Sequence, residues 1–391
     1  MGLNLRFVVF MVCIAIIILI YRIYIEDLHS IRRDGMLVTQ VSQESGQANS
    51  PALDVNHKWP PLMFPPAKNV SMGTDKVVTR LSFCDHVVVK NNVAAPWREA
   101  AAAAAERVLP AMRAQQSDSH ATTCIATIRL LSDPEARTRA SEHYSLRVLV
   151  PQLRSTTTTK AELVAADERG MQWALSALLQ VGTSPVHIPL PLEVSDAPDV
   201  PWRGLMVDTA RHYMPMSELF KVVDGMWLSR LNVLHLHLTD AQAFPLRLND
   251  VHTRDGRTLR LARLAELGAI DADSVYTRED MEALVRYAAA RGVEVVPEVD
   301  LPAHAASWGK AFPELVVDCS ATAAAAGARV PLDTFMLDPS KPDALDVAVA
   351  VLAQVADWFP SRYMHVGADE LVLNCWRDTP HLREWVVERQ G

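Results

Sequence analysis

Asp369 and Glu370 are adjacent, and they follow the short run His365-Val366-Gly367-Ala368. Neighbouring Cα atoms lie only ~3.8 Å apart. A retaining glycosidase with a protein nucleophile sets two carboxyls ~5–5.5 Å apart across the scissile bond, and an inverting one ~6.5–9.5 Å. Two carboxylates leaving one strand end are badly placed to take opposite faces of a sugar. If both act, one protonates the leaving oxygen and the other serves a nucleophile that belongs to the substrate. A 2-acetamido sugar carries such a nucleophile in its carbonyl oxygen. A bare Asp-Glu pair is ordinarily a solvated strand end, so its neighbours decide how it is read.

Those neighbours are polar groups at the ends of three more apolar runs. Arg203 precedes Gly204–Asp208, which Asp208-Thr209 and Arg211-His212 close. Val233–Leu238 carries His235 and His237 and leads to Asp240. Val293–Val299 holds Glu298 and leads to Asp300 and His304. Carboxylates and imidazoles recurring at one edge can converge on one site. A metal triad of His235, His237 and Asp240 has suitable residue types. The two histidines share a strand face, however, and inward histidines in a barrel are commonly hydrogen-bonded core residues. No metal or cofactor is expected.

The elements that position these groups alternate. After Gly204–Asp208 comes a helix over 216–230. After Val233–Leu238, Thr277-Arg278-Glu279-Asp280 makes a capping-box-like start. Met281, Leu284, Val285, Ala288 and Ala289 then fall on one helical face. Val293–Val299 is followed by a long loop and a helix over 343–359. Tyr363–Gly367 is the fourth strand, with a helix over 380–390 behind it. Four β-loop-α units predict a parallel sheet covered by helices, with chemistry at the C-terminal strand ends. Residues 59–200 read as a small α+β domain. It has strands over 76–83, 85–89, 124–131 and 144–150, a helix over 97–112 with six consecutive alanines, and a helix over 161–181. Thr156–Thr159 and Ala323–Ala326 are expected as surface loops.

The chain has 391 residues, a net charge of -8 and 49% apolar residues. That allows a large core and argues against nucleic acid as a partner, which needs a basic face. Phe7 to Tyr21 is unbroken apolar sequence, and Ile23 to Ile25 extend it. No small-x-small site follows, so a signal-anchor through residues 7–25 is expected rather than a cleaved leader. Residues 26–58 read as a polar stalk. Outside the anchor are Cys84, Cys124, Cys319 and Cys375, which allow two disulfides in three connectivities if the body is luminal or extracellular. Asn69-Val70-Ser71 offers a glycosylation site at Asn69.

Four segments resemble the family 20 glycoside hydrolases, the β-N-acetylhexosaminidases. They are Trp202–Tyr213 (WRGLMVDTARHY), Leu231–Asp240 (LNVLHLHLTD), Pro297–His304 with Ser307-Trp308-Gly309, and His365–Glu370 (HVGADE) with Cys375-Trp376. Residues 59–200 resemble that family's N-terminal domain more loosely. The resemblance implies an α/β fold: a (β/α)8 TIM barrel, here incomplete over 201–391, behind the α+β domain; the transmembrane helix read from the apolar run precedes both. It implies removal of terminal β-linked N-acetylglucosamine or N-acetylgalactosamine by a substrate-assisted retaining mechanism. Glu370 would be general acid and then base, Asp369 would hold the acetamido group, and Asp240 and His304 would form a relay with Glu370. Asp300 would support the acidic cluster, and Arg203 would grip sugar hydroxyls. Cys84 would pair with Cys124 and Cys319 with Cys375.

Two departures from the family pattern stand out. Ala368 replaces the usual second glycine before Asp-Glu, and Ala241 replaces a usual second Asp after Asp240. Alanine at 368 would strain the site if that position needs positive φ. The sequence carries four barrel strands where eight close a barrel. An inactive, glycan-binding relative is therefore the rival expectation. Residues 1–391 alone are expected to be inactive and poorly folded unless a second copy completes the barrel as a homodimer or a separate chain supplies the rest.

Overall fold

A computed structural model describes residues 69–93, 98–114, 123–133, 141–150, 158–182, 187–325 and 334–390. The expected anchor within residues 1–25, the stalk over 26–58 and the segment Trp59–Pro66 lie outside these residues. Among the described residues no helix is long and apolar enough to cross a membrane.

Among the described residues the first domain holds five strands and two helices. The strands are β1 (Asn69–Asn92), β2 (Thr123–Ser132), β3 (Tyr144–Val148), β4 (Thr158–Ala165) and β5 (His187–Asp196). The helices are α1 (Arg98–Ala114) and α2 (Glu168–Gly182). The strands close in the order β1-β2-β4-β3-β5. Closure depends on β1, which runs antiparallel to β5 over Asn69–Arg80 and then parallel to β2 over Leu81–Asn92. The two short strands expected over 76–89 are thus one strand that changes partner, with irregularities between Met72 and Val77 and between Phe83 and Val88. In α1, Ala101, Ala104, Ala105 and Val108 are buried at helical spacing, so the alanine run is a packing face as well as a helix former.

Residues 158–165 correct the expectation most clearly. Ala161 was expected to start a helix and Thr156–Thr159 to form a loop. Thr158–Ala165 is instead a strand between β2 and β3, with alternate residues buried. Ala, Glu, Leu and Lys favour helices in isolation, but two neighbouring strands supply partners that override such weak preferences. The helix begins only at Glu168. Strand β5 was not anticipated. Ala323–Ala325, expected as loop, close a short helix, Ser320–Ala325.

The second domain is an arc of parallel sheet. β6 (Gly204–Asp208), β7 (Val233–Thr239) and β8 (Glu294–Val299) are neighbours in that order. Helices α3 (Met216–Leu228), α4 (Arg278–Ala289) and α5 (Pro342–Trp358) cover one face. Thr277 and Asp280 cap α4 reciprocally, the capping box its sequence announced. Leu234, Leu236 and Leu238 point into the core under the helices. His235 and His237 therefore point to the other face, the inside of the arc.

The expected strand Tyr363–Gly367 narrows to one bridge, Glu298 to His365. Three backbone bonds still lay it parallel to β8: His365 N–H to Pro297, Val299 N–H to His365, and Leu301 N–H to Val366. The segment has a ladder partner on one side only among the described residues, which explains its short pairing. Among the described residues β6 likewise pairs with β7 alone and leaves Leu205 39% and Met206 54% exposed.

Candidate active site

The polar residues at the strand ends converge on the inner face of the arc. Registers align Asp208 with His237 and His237 with Glu298, and the bridge sets His365 beside Glu298. One layer of side chains across four segments is therefore acidic and imidazole-bearing. The Glu298 carboxylate takes three imidazoles. His235 reaches Oε2, His237 Nδ1 lies 3.1 Å from Oε2, and His365 Nδ1 lies 3.1 Å from Oε1. Burial alone would raise the Glu298 carboxyl, but His237 and its neighbours outweigh that and hold it at about 2.

The next layer centres on Asp240, which is fully buried. His237 Nε2 lies 2.9 Å from its Oδ2 and an Arg211 nitrogen 2.8 Å from the same oxygen. The Ala241 N–H donates to Oδ1 at 2.6 Å, and His304 Nδ1 lies 3.4 Å from Oδ1. Burial disfavours the charge on Asp240, yet His237 and His304 outweigh it and keep its pKa well below the ordinary carboxylate range. Burial also opposes a charge on His237, but its bonds to Asp240 and Glu298 lift it to about 10. Asp240 lifts His304 to about 9.

His304 hands this network to the expected catalytic pair. It is fully buried, with Nε2 3.4 Å from Glu370 Oε2, 3.9 Å from Asp369 and 4.0 Å from Asp300. The side chains of Asp369 and Glu370 are 67% and 66% exposed, so both face open space. Asp300 is buried. Burial pushes its carboxyl up to about 7, with the Asp369 charge adding and His304 opposing. The structure thus brings Asp240, Asp300, His304, Asp369 and Glu370 together.

The loop that carries the pair is tightly wound. Gly367, Ala368 and Glu370 all have positive φ, at 64°, 68° and 52°. A Cβ on Gly367 would fall 1.7 Å from Asp300 Oδ1, so only glycine fits there. The Ala368 N–H donates to that same oxygen at 3.1 Å. Ala368 does occupy the conformation its substitution for glycine made suspect, and it is strained there. Ala241, the other departure, is buried.

Arg203 does not reach this site. It precedes β6, so it lies at the strand end opposite Asp208, about 16 Å away at ~3.3 Å per residue. Its guanidinium binds buried Glu142 of the first domain and the carbonyls of Arg230 and Val200. Glu142 also accepts from Trp173 Nε1 at 2.9 Å and Asn232 Nδ2 at 3.0 Å. Arg203 therefore ties the two domains at the base of the arc. The arginine at the site is Arg211, which spans Asp208 and Asp240. Strand direction was the signal that could have found it, because chemistry collects at C-terminal strand ends.

Three groups have donor atoms within 4.8 Å of one another, as metal ligands would: His235 with Glu298 and His365, His237 with Asp240 and Asp300, and Asp300 with His304 and Asp369. Of the imidazole–carboxylate contacts in them, His237 to Asp240 is a hydrogen bond of 2.9 Å, while His304 stands 4.0 and 3.9 Å from Asp300 and Asp369. Cys84–Cys124 and Cys319–Cys375 are disulfides, with Cα atoms 5.0 and 5.4 Å apart. The second joins the segment after β8 to the helix Leu373–Asp378 just past Glu370. Asn69 opens β1.

Residues 200–391 match the family described as glycosyl hydrolase family 20, catalytic domain. The β-hexosaminidase subunit A1 of Dictyostelium discoideum is 34% identical over 197 residues, which is 50% of this chain and 34% of that protein. A β-hexosaminidase of Akkermansia muciniphila is 34% identical over 273 residues, 66% of this chain and 51% of that one. The chain thus aligns with about a third to a half of these relatives' lengths. Among solved structures, the chitobiase of Flavobacterium johnsoniae superposes with a TM-score of 0.61 at 23% identity, over 84% of this chain and 48% of that one. The β-N-acetylhexosaminidase of Bacteroides fragilis gives 0.62 at 22% identity, over 84% and 60%. These likenesses fit an α/β fold with a TIM-barrel-like domain.

Proposed function

Residues 200–391 belong to glycosyl hydrolase family 20, and on that premise we propose that the protein hydrolyses terminal, non-reducing β-linked N-acetylglucosamine or N-acetylgalactosamine. The observation that carries the reading is His304. It joins buried Asp240 to Glu370 at the open end of the sheet, with Asp369 alongside.

Glu370 gives its proton to the glycosidic oxygen as the bond to C1 breaks. The substrate's acetamido carbonyl oxygen attacks C1 and closes an oxazolinium-like ring. Asp369 accepts from the acetamido N–H and answers the positive charge. Water then adds to C1, Glu370 takes its proton, and the ring reopens with the configuration retained. Taking that proton restores Glu370 to its starting state; Asp240 and His304 stand behind it and govern how firmly it holds the proton, and Arg211 is the arginine placed to meet sugar hydroxyls. Adjacent carboxylates suit this division of roles, because neither has to reach the far face of the sugar.

The test uses the full-length protein. Glu370→Gln loses turnover of chitobiosides but keeps part of its turnover of activated aryl glycosides, which need little acid assistance. Asp369→Asn slows both, and a thiazoline mimic of the cyclic intermediate binds tightly. Trapping a covalent sugar on a carboxylate overturns the substrate-assisted scheme. The alternative, a glycan-binding protein without turnover, draws on the strain at Ala368. It prevails if wild-type protein binds the mimic but releases no sugar.

The same proposal puts the body in a luminal or extracellular compartment, tethered through residues 7–25. The two disulfides support this, since such bonds persist in oxidising compartments. Four free thiols with an unmodified Asn69 in protein from its native source overturn it. Pairing of two copies along the exposed edge at Leu205 and Met206 is the proposed assembly. A monomer by sedimentation excludes it.

A further inference from the structure

Asp240 holds more cations than a two-residue relay needs. Its Oδ2 faces both His237 Nε2 at 2.9 Å and Arg211 at 2.8 Å, while His304 stands at the other oxygen at 3.4 Å, the longest of these contacts. Behind His237 lies Glu298, 3.1 Å from Nδ1. An imidazole between two carboxylates satisfies both by donating from both nitrogens, which makes it an imidazolium. The chain Glu298–His237–Asp240–His304–Glu370 therefore alternates in charge from the inner face of the arc to the exposed acid.

We propose that His237, clamped by Glu298, is a positioning residue that sets the proton affinity of the His304–Glu370 pair through Asp240. The proposal rests on the reading of Glu370 as general acid. A bare carboxylate behind His304 would hold its proton firmly and so keep Glu370 ionised. The His237 charge, with that of Arg211, answers much of the Asp240 charge first. His304 then releases its proton more readily, and Glu370 stays protonated to higher pH. The shifts agree in direction: His237 sits at about 10 and Glu298 at about 2. The groups facing His237 are Glu298 on β8, Asp300 just after it, Asp240 after β7 and Asp208 on β6, with His235 and His365 sharing Glu298. Those facing His304 are Asp240, Asp300, Asp369 and Glu370.

The test combines imidazole nitrogen NMR with pH–rate profiles on the full-length protein. In the wild type, both His237 nitrogens stay protonated at pH 8. In Glu298→Gln, the His237 midpoint falls toward the ordinary histidine value of ~6.5. In His237→Gln, the His304 midpoint rises, and the basic limb of kcat/KM for an aryl N-acetylglucosaminide moves down by about one unit. KM stays unchanged, which a merely structural defect would not spare. A wild-type His237 titrating near 6.5 overturns the proposal, and so does a His304 midpoint that stays put or falls in His237→Gln. If His237→Gln does not fold, the wild-type and Glu298→Gln titrations still decide whether the clamp exists. A wild-type protein without hydrolysis, but with these titrations, defeats the hydrolase reading alone. Normal hydrolysis with His304 indifferent to His237 defeats this inference alone.

Discussion

Gly367→Ala tests whether the turn before the acidic pair is held by glycine for the reason given. Gly367 has φ 64°, where an L-residue costs roughly 1–2 kcal/mol. Its new Cβ would also lie 1.7 Å from Asp300 Oδ1 and 2.3 Å from Cγ, so the Asp300 carboxylate must move. Moving it breaks the bond from Ala368 N–H, worth roughly 1.5–3 kcal/mol for a charged acceptor. Restricting the unfolded chain returns about 0.4–1 kcal/mol. The net loss is about 2–4 kcal/mol, a fall in melting temperature of roughly 5–15 °C for a domain of this size. Turnover should drop about 100-fold, because Asp369 and Glu370 follow the displaced loop. Ala368→Gly is the control: φ is 68° there, and glycine relieves strain. Its stability should rise by up to about 1 kcal/mol, the unfolded-state entropy of glycine offsetting part of the gain. Calorimetry and aryl-glycoside kinetics read both variants. Gly367→Ala melting within a degree or two of wild type, with normal turnover, would refute the close approach.

Glu142→Ala strips Arg203, Asn232 and Trp173 of a shared buried acceptor and should cost about 3–5 kcal/mol in denaturant unfolding; a loss under about 1 kcal/mol would show that the domain tie is unimportant. Asp300→Asn keeps an acceptor for Ala368 but removes a carboxyl raised to about 7. An acid with a raised folded pKa loses stability as pH climbs from its unfolded value of about 3.9 through 7, so the variant should gain about 2–4 kcal/mol over wild type at pH 8 and nothing at pH 3. Equal gains at both pH values would contradict that charge accounting. Removing Cys319–Cys375, which spans 56 residues, should cost about 2–4 kcal/mol, and thermal melts of Cys319→Ser/Cys375→Ser that match the wild type would rule this out.

Local pattern in the sequence determined most of the second domain. Apolar runs marked β6, β7 and β8, a capping box marked the start of α4, and polar residues after each strand marked one edge as chemical. These signals are local: helical and strand periods and caps are written within about ten residues. The pairing of Asp369 with Glu370 was also legible, since adjacency needs no fold. What escaped was set by distant neighbours. Thr158–Ala165 carries helix formers and became a strand because β2 and β3 flank it. Tyr363–Gly367 reads as a strand, yet it pairs little with a partner on one side. Arg203 and Arg211 flank the same strand and look interchangeable as sugar ligands. Only strand direction and the buried Glu142, 61 residues earlier in the chain than Arg203, send one to the domain base and the other to Asp240. His237 and Glu298 likewise acquire a role only when register sets them side by side. The residue types come from the sequence, but the energy of a buried charge depends on which opposite charge the fold brings within about 3 Å, and tertiary structure decides that.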